Sequence, residues 1–259
     1  MAQRKPNVRV TQVSDIIELS PHLRRIVLSG DSLKGFSTGQ EGAHVKVVLP
    51  SEQPSEQPSE LQTTSADKSQ KMRSYTIRSF KEDTLELTLD FVINRHDGPA
   101  TNWAKNAKLV DKLIIAGPGP LKITDYDQTS YLLVGDITSV NAINGFVPKF
   151  NQDADIRAVI SVPTRSDIIT MDYDDSANTY WFVEDEMSIS LEEQVLTLAK
   201  NMAKDTRVFL ALEACKIRSL RPMLEEQLGF SRLDCTAVGY WKQGVDADKF
   251  SAQKKSGSN

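Results

Sequence analysis

The chain holds only two cysteines in 259 residues, Cys215 and Cys235, and they lie far apart. So few thiols exclude a disulfide framework and a thiolate metal cluster, and read as two buried, reduced side chains. No apolar run approaches the length of about 20 residues that crosses a bilayer. Arg4, Lys5 and Arg9 stand near the N-terminus with no apolar stretch behind them, so no secretory signal is expected. An excess of basic charge is also missing. The formal net charge is −4, which excludes nucleic acid or an anionic membrane surface as the main partner. There is no Gly-x-Gly-x-x-Gly fingerprint, no Ser-His-Asp order, no metal-ligand cluster and no paired-carboxylate signature. Together these absences predict a soluble, cytoplasmic protein; a monomer is the expected state.

What remains is a chain of 39% hydrophobic and 25% charged residues, long enough for two domains that each bury a core. Its first half reads as six short strands over residues 8–13, 23–29, 44–49, 74–79, 85–92 and 112–116, with turn signals between them and one helix over 100–106. That pattern predicts a closed antiparallel six-stranded barrel with one covering helix. Within it, residues 51–70 contain the tandem SEQPSEQPSE and almost nothing apolar, which predicts a mobile polar loop.

The second half alternates strands at 130–135, 156–162, 180–183, 207–213 and 234–240 with helices at 140–150, 191–203 and 216–228. Alternation of this kind predicts a parallel sheet flanked by helices, with ligands at the carboxyl ends of the strands. The expected domains are therefore 1–126, a β-barrel, and 127–259, an α/β domain, with a frayed polar tail from 252 onward.

Several segments carry binding chemistry. In Arg73-Ser74-Tyr75-Thr76, strand alternation puts Arg73 and Tyr75 on one face and Ser74 and Thr76 on the other. An Arg grips phosphate bidentately, and a Tyr ring lies against a flat heterocycle. Further on, Asp90-Phe91-Val92 precedes Gly98-Pro99-Ala100-Thr101-Asn102-Trp103, a turn that opens a helix and offers backbone N–H groups to a pyrophosphate. Each segment taken alone also reads as ordinary strand or turn.

Their order is what distinguishes them. Arg73 to Arg78, Leu87 to Val92, His96 to Trp103, Asp111 to Gly119, Tyr131 to Asp136 and Gly239-Tyr240-Trp241 follow one another in a series. This series resembles the siderophore-interacting protein family, the FAD-containing ferric-siderophore reductases related to ferredoxin–NADP reductases, from about Val8 to Gly244.

The resemblance implies an FAD-binding barrel followed by an NAD(P)H-binding-type α/β domain. It implies Arg73 near the FAD phosphates and Ser74, Tyr75 and Thr76 along the flavin strand. Asp90, Phe91, Val92, Gly98, Pro99, Ala100, Thr101 and Trp103 would hold the rest of the cofactor, with Thr138 and Trp241 on the flavin side. His96 reads equally as a solvated loop residue or an FAD contact. Asp136, Glu213 and Arg218 fall on the nicotinamide side, where Arg218 and Arg221 read equally as surface charges.

The family pattern Gly-Asp-Glu-Thr is altered here to Gly135-Asp136-Ile137-Thr138, which leaves NADH, NADPH or reduced ferredoxin open as the electron donor. Lys46, Lys122 and Lys242 match basic positions expected around an anionic ferric siderophore. The expected activity is one-electron reduction of that chelate in the cytoplasm. The alternatives are a carrier that binds ferric chelates without turnover, and a ferredoxin–NADP-reductase-like electron-transfer flavoprotein.

Overall fold

The structure, a computed structural model, describes residues 7–49, 71–173 and 177–256, so the loop expected over 51–70 lies outside the described residues. Alternating apolar positions build the first half into strands β1 (Val8–Ser20), β2 (Leu23–Ser29), β3 (His44–Val48), β4 (Met72–Lys81), β5 (Glu86–Val92) and β6 (Lys112–Ala116). They close into an antiparallel barrel in the order β1-β2-β5-β4-β3-β6. Inward residues such as Val45, Val47, Ile77, Leu87, Leu89, Phe91, Leu113 and Ile115 fill it, and helix α1 (Pro99–Asn106) covers it through Ala100 and Ala104.

Strand β1 runs past the expected end at residue 13. Its first part pairs with β6 and its second with β2. Register shifts between Val13 and Asp15 and between Glu18 and Ser20 break the alternation that sequence reading relies on.

The second half forms β7 (Ser130–Asp136), β8 (Asp155–Val162), β9 (Asn178–Val183), β10 (Arg207–Glu213) and β11 (Cys235–Trp241), a sheet in the order β11-β10-β7-β8-β9. Every pairing in it is parallel. All seven residues of β7 are buried, as the central strand of a sheet covered on both faces requires. Tyr131 and Leu133 face one core with helix α2 (Val140–Phe146). Leu132 and Val134 face the other core with helices α3 (Leu191–Ala199) and α4 (Ala214–Leu228).

Three expectations change. The helix expected to reach 150 stops at Phe146 and tightens into a 3-10 turn over Val147–Lys149, because Pro148 has no N–H to continue the α ladder. Of the tail expected to fray from 252, residues 252–256 are instead part of helix α5 (Ala247–Ser256), and the rest lies outside the described residues. Phe250 anchors that helix by burying its ring beside Gly239. The cysteines expected to be buried are not: Cys215 is exposed and Cys235 half-buried. Burial holds the Cys235 thiol up at about 11, so it stays protonated at neutral pH.

The barrel and the sheet meet through specific contacts. Asp167, with a fully buried side chain, accepts from Ser20 Oγ at 2.6 Å and from Thr164 Oγ1 at 2.8 Å, and pairs with His22 Nδ1 at 2.8 Å. Burial raises the Asp167 carboxyl, but the bonds from Ser20, His22 and Thr164 outweigh it and hold the group below the usual range. A lowered aspartate contributes stability that is present above its unfolded value of about 4 and is lost as pH falls through the folded value. Asp167→Asn should therefore cost about 2–4 kcal/mol of stability at neutral pH. In urea titrations the gap between variant and parent should narrow under acid; a gap that is constant with pH would contradict this role.

Candidate functional site

The site is built on β4. Opposite it, Val45 pairs with Tyr75 and Val47 with Arg73. The Tyr75 ring packs on Phe91 with centroids 4.1 Å apart, and Phe91 in turn meets Trp103 at 5.5 Å. Burial raises the Tyr75 hydroxyl well above its ordinary value. Phe91 is fully buried in the barrel core, so it presents no surface to a cofactor. Asp90 is likewise committed, gripped by Arg25 through two bonds of 2.8 Å. Arg73 forms a two-bond pair with Asp248 of α5, at 2.5 and 3.0 Å. Thr76 lies beside the Tyr240 hydroxyl, which burial pushes up to about 12.

At one end of this strand region α1 begins. Gly98 stands at its N-cap with no side-chain cap, Pro99 occupies the first turn, and no acidic residue lies in that turn. Its leading N–H groups and its dipole thus remain available for an anion. A Cβ on Gly98 would meet nothing closer than the His96 ring at 3.8 Å, so the approach is open. His96 Nε2 lies 3.2 Å from Thr101 Oγ1, and burial lowers the His96 pKa. Thr101 and Ala100 are buried, while Val92 is half-buried and its carbonyl accepts from Thr101 Oγ1.

The carboxyl ends of the parallel strands form a second part. Asp136, at the end of β7, accepts from Thr138 N at 2.9 Å, Thr138 Oγ1 at 2.5 Å and Trp241 Nε1 at 2.8 Å. Burial raises the Asp136 carboxyl; these bonds only partly offset it, and nearby Glu184 adds to the rise. Since β10 lies between β7 and β11, the Trp241 indole spans its end to reach Asp136. Ile137 turns into the apolar core. Glu213 caps α4 through Cys215 N and Lys216 N and also accepts from Gln243 N. Arg218 lines a different space, a cavity between α4, β11 and α5.

A third part is basic. Burial first, then Lys122 and Lys46, hold His44 below the ordinary histidine range. Lys254 of α5 is lowered by burial and by Lys122. Lys242 Nζ donates to Gln253 Oε1 on the same helix at 3.4 Å. Lys46, Lys122 and Lys242 are thus joined by His44 and Lys254, neither of which the sequence reading had singled out. His44 was legible, since it shares a strand face with Lys46 two residues on. Lys254 and Asp248 were not, because α5 was not foreseen as a packed helix. Gly119 makes room here: a Cβ on it would fall 2.4 Å from the His44 ring.

Two family models cover most of the chain: the siderophore-interacting FAD-binding domain matches residues 12–121, and the siderophore-interacting protein matches 128–244. The chain belongs to the siderophore-interacting protein family. Among its relatives, the ferric vibriobactin reductase ViuB of Vibrio cholerae is 25% identical over 248 residues, covering 91% of this chain and 90% of ViuB. The NADPH-dependent ferric-chelate reductase of Escherichia coli K12 is 26% identical over 242 residues, covering 90% and 92%. The crystal structure of the siderophore-interacting protein SipS from Aeromonas hydrophila superposes with a TM-score of 0.78 at 28% identity, covering 98% of this chain and 99% of SipS.

The residues fit the FAD that this family's barrel domain implies. The uncapped, acid-free start of α1 suits a pyrophosphate, and the half-buried Tyr75 and Trp103 rings, both packed on the buried Phe91, offer aromatic surface. Arg73 would have to exchange Asp248 for a phosphate to reach one. Among the described residues no group of metal ligands gathers, and no helix is long and apolar enough to cross a membrane. Arg73→Ala should weaken FAD binding by about tenfold or more, the worth of charged hydrogen bonds lost. Fluorescence titration of FAD into the stripped protein reads this directly; an unchanged Kd would remove Arg73 from the cofactor site.

Proposed function

We propose that this chain is an FAD-dependent ferric-siderophore reductase working in the cytoplasm, which reduces Fe(III) in an anionic chelate by one electron so that iron leaves as Fe(II). The observation that carries this reading is the cluster of His44, Lys46, Lys122, Lys242 and Lys254 on a protein whose overall charge is −4. A basic pocket on an acidic surface concentrates an anionic substrate where the rest of the protein repels it. The names of the Vibrio and Escherichia coli reductases support the same substrate class.

FAD, when bound, supplies the exchange between a two-electron donor and two one-electron ferric acceptors. The protein's own part is placement. Arg73 and the start of α1 hold the phosphates, and Ser74, Tyr75 and Thr76 border the ring system. Trp241, pinned by Asp136 of the nicotinamide side, borders the flavin side. The lysines hold the chelate by charge. They need not touch the iron, because Fe(II) is softer than Fe(III) and is held less well by hard oxygen ligands.

The donor we infer is NADPH or NADH, with a reduced ferredoxin as the competing source. Asp136 and Glu213 sit at the strand ends where a nicotinamide is expected in a sheet of this order. Stopped-flow reduction of the FAD-loaded protein by NADH, NADPH and reduced ferredoxin ranks the three by rate. Trapping Fe(II) with a chromogenic chelator in the same mixture separates a reductase from a carrier: no trapped Fe(II) with any donor leaves only carriage.

Lys46→Ala combined with Lys242→Ala should slow reduction of anionic ferric chelates by about tenfold at low salt through lost steering. The difference should shrink as ionic strength shortens the screening length to about 10 Å at 0.1 M. Rates identical to the parent at every salt concentration would take these lysines out of the substrate pocket.

A further inference from the structure

A second cationic site adjoins the lysine cluster on the far side of Phe250, whose ring carries Lys254 Nζ at 4.4 Å. Helix α4, edge strand β11 and helix α5 enclose a cavity of about 350 Å³ rimmed by Arg218, Arg221 and Arg232. Arg221 shares its charge with Glu225 at 3.2 Å, and one of its N–H groups reaches the Arg232 carbonyl at 3.5 Å. Arg218 and Arg232 are exposed and have no carboxylate partner among the described residues. Three guanidiniums against one carboxylate leave two positive charges facing one space, on a chain whose net charge is −4. The cavity wall is apolar, built from Ile217, Pro222, Ala237 and the buried ring of Phe250.

From this geometry we propose that the cavity is a binding site for a small phosphorylated ligand with a flat apolar body. Guanidinium forks match phosphate and carboxylate oxygens alike. The charge decides between them, because two uncompensated positive charges complement a phosphomonoester, which carries about −1.5 to −2 at neutral pH, better than a single carboxylate. The volume falls within the range of about 300–1,000 Å³ typical of small-molecule sites. The apolar wall accommodates a ring beside Phe250.

This site has its own arginine rim but borders the proposed reductase pocket at Lys254, and the two share a helix. Phe250 belongs to α5, which also carries Asp248 on Arg73, Gln253 on Lys242, and Lys254. A ligand seated against Phe250 therefore steadies the helix that borders the flavin strand and the lysine cluster.

The test uses the full FAD-loaded chain, with AMP, adenosine and inorganic phosphate as probes in calorimetric titrations, followed by hydrogen–deuterium exchange. AMP is expected to bind saturably and more tightly than either fragment, and to slow exchange in α4 and α5. Arg218→Glu with Arg232→Glu should weaken AMP by about tenfold or more. Lys34→Glu with Lys81→Glu, which changes net charge equally on exposed barrel positions, should leave it unaltered. Three results would each overturn the proposal: no saturable AMP binding, equal weakening in both double variants, or protection confined to the strand ends around 136–139. None of them bears on Fe(II) release, so the site and the reductase reading stand or fall separately.

Discussion

Helix α2 reaches the barrel because neither Gly145 nor Gly42 carries a side chain. A Cβ on Gly145 would stand 2.5 Å from the Gly42 backbone nitrogen, and one on Gly42 would press the Phe146 ring at 3.1 Å. This approach fixes how far the parallel sheet stands from strand β4. Asn144 on the same helix turn then bonds Asp172 in both directions, and Asp172 holds Arg78 of β4 by two bonds of 2.5 Å. A carboxylate shared between a helix amide and a strand guanidinium ties the two halves at the strand that bears the site. A wider gap would carry Tyr240 away from Thr76 and leave Trp241 no common space with the flavin strand.

Buried charge within this junction is balanced by pairing. Asp90 is met by Arg25, Asp167 by His22 and two hydroxyls, and Asp136 by Thr138 and the Trp241 indole. Pairing matters because an unpaired carboxylate in a low-dielectric interior costs several kcal/mol. Asp136 differs from the others in accepting only neutral donors, so burial still raises its carboxyl. The strand ends therefore hold a carboxylate that is hydrogen-bonded yet uncompensated in charge, next to Glu184. The opposite sign gathers on the barrel side and on α5, where burial and then Lys122 and Lys46 lower His44, and burial and then Lys122 lower Lys254. A protein of modest net charge thus keeps its two signs in separate places around one site.

Much of this was legible in the residues. The boundaries of β2, β6 and β10 follow their apolar runs, and the Gly98-Pro99 start of α1 follows from the chemistry of helix beginnings. The ordered series from Arg73 to Trp241 carried the family. What was illegible involves partners distant in sequence. Arg73 reads as a free cation until Asp248, 175 residues on, is brought to it. Phe91 reads as a site residue until the barrel closes around its ring. Glu213 reads as a nicotinamide-side acid, yet each of its oxygens caps or pins backbone nearby.

The sequence alone determined the two-part architecture, because hydrophobic periodicity is a local property and each half carries its own period. It also determined which residue types were available for a phosphate, a flat ring and an anionic chelate. Only the tertiary structure decided which of them stand free. Closure of the barrel and docking of α5 set the burial and pairing of each side chain, and both depend on contacts between residues far apart in the chain. Lys254 joined the basic cluster, and Arg218 turned to a separate cavity, for that reason.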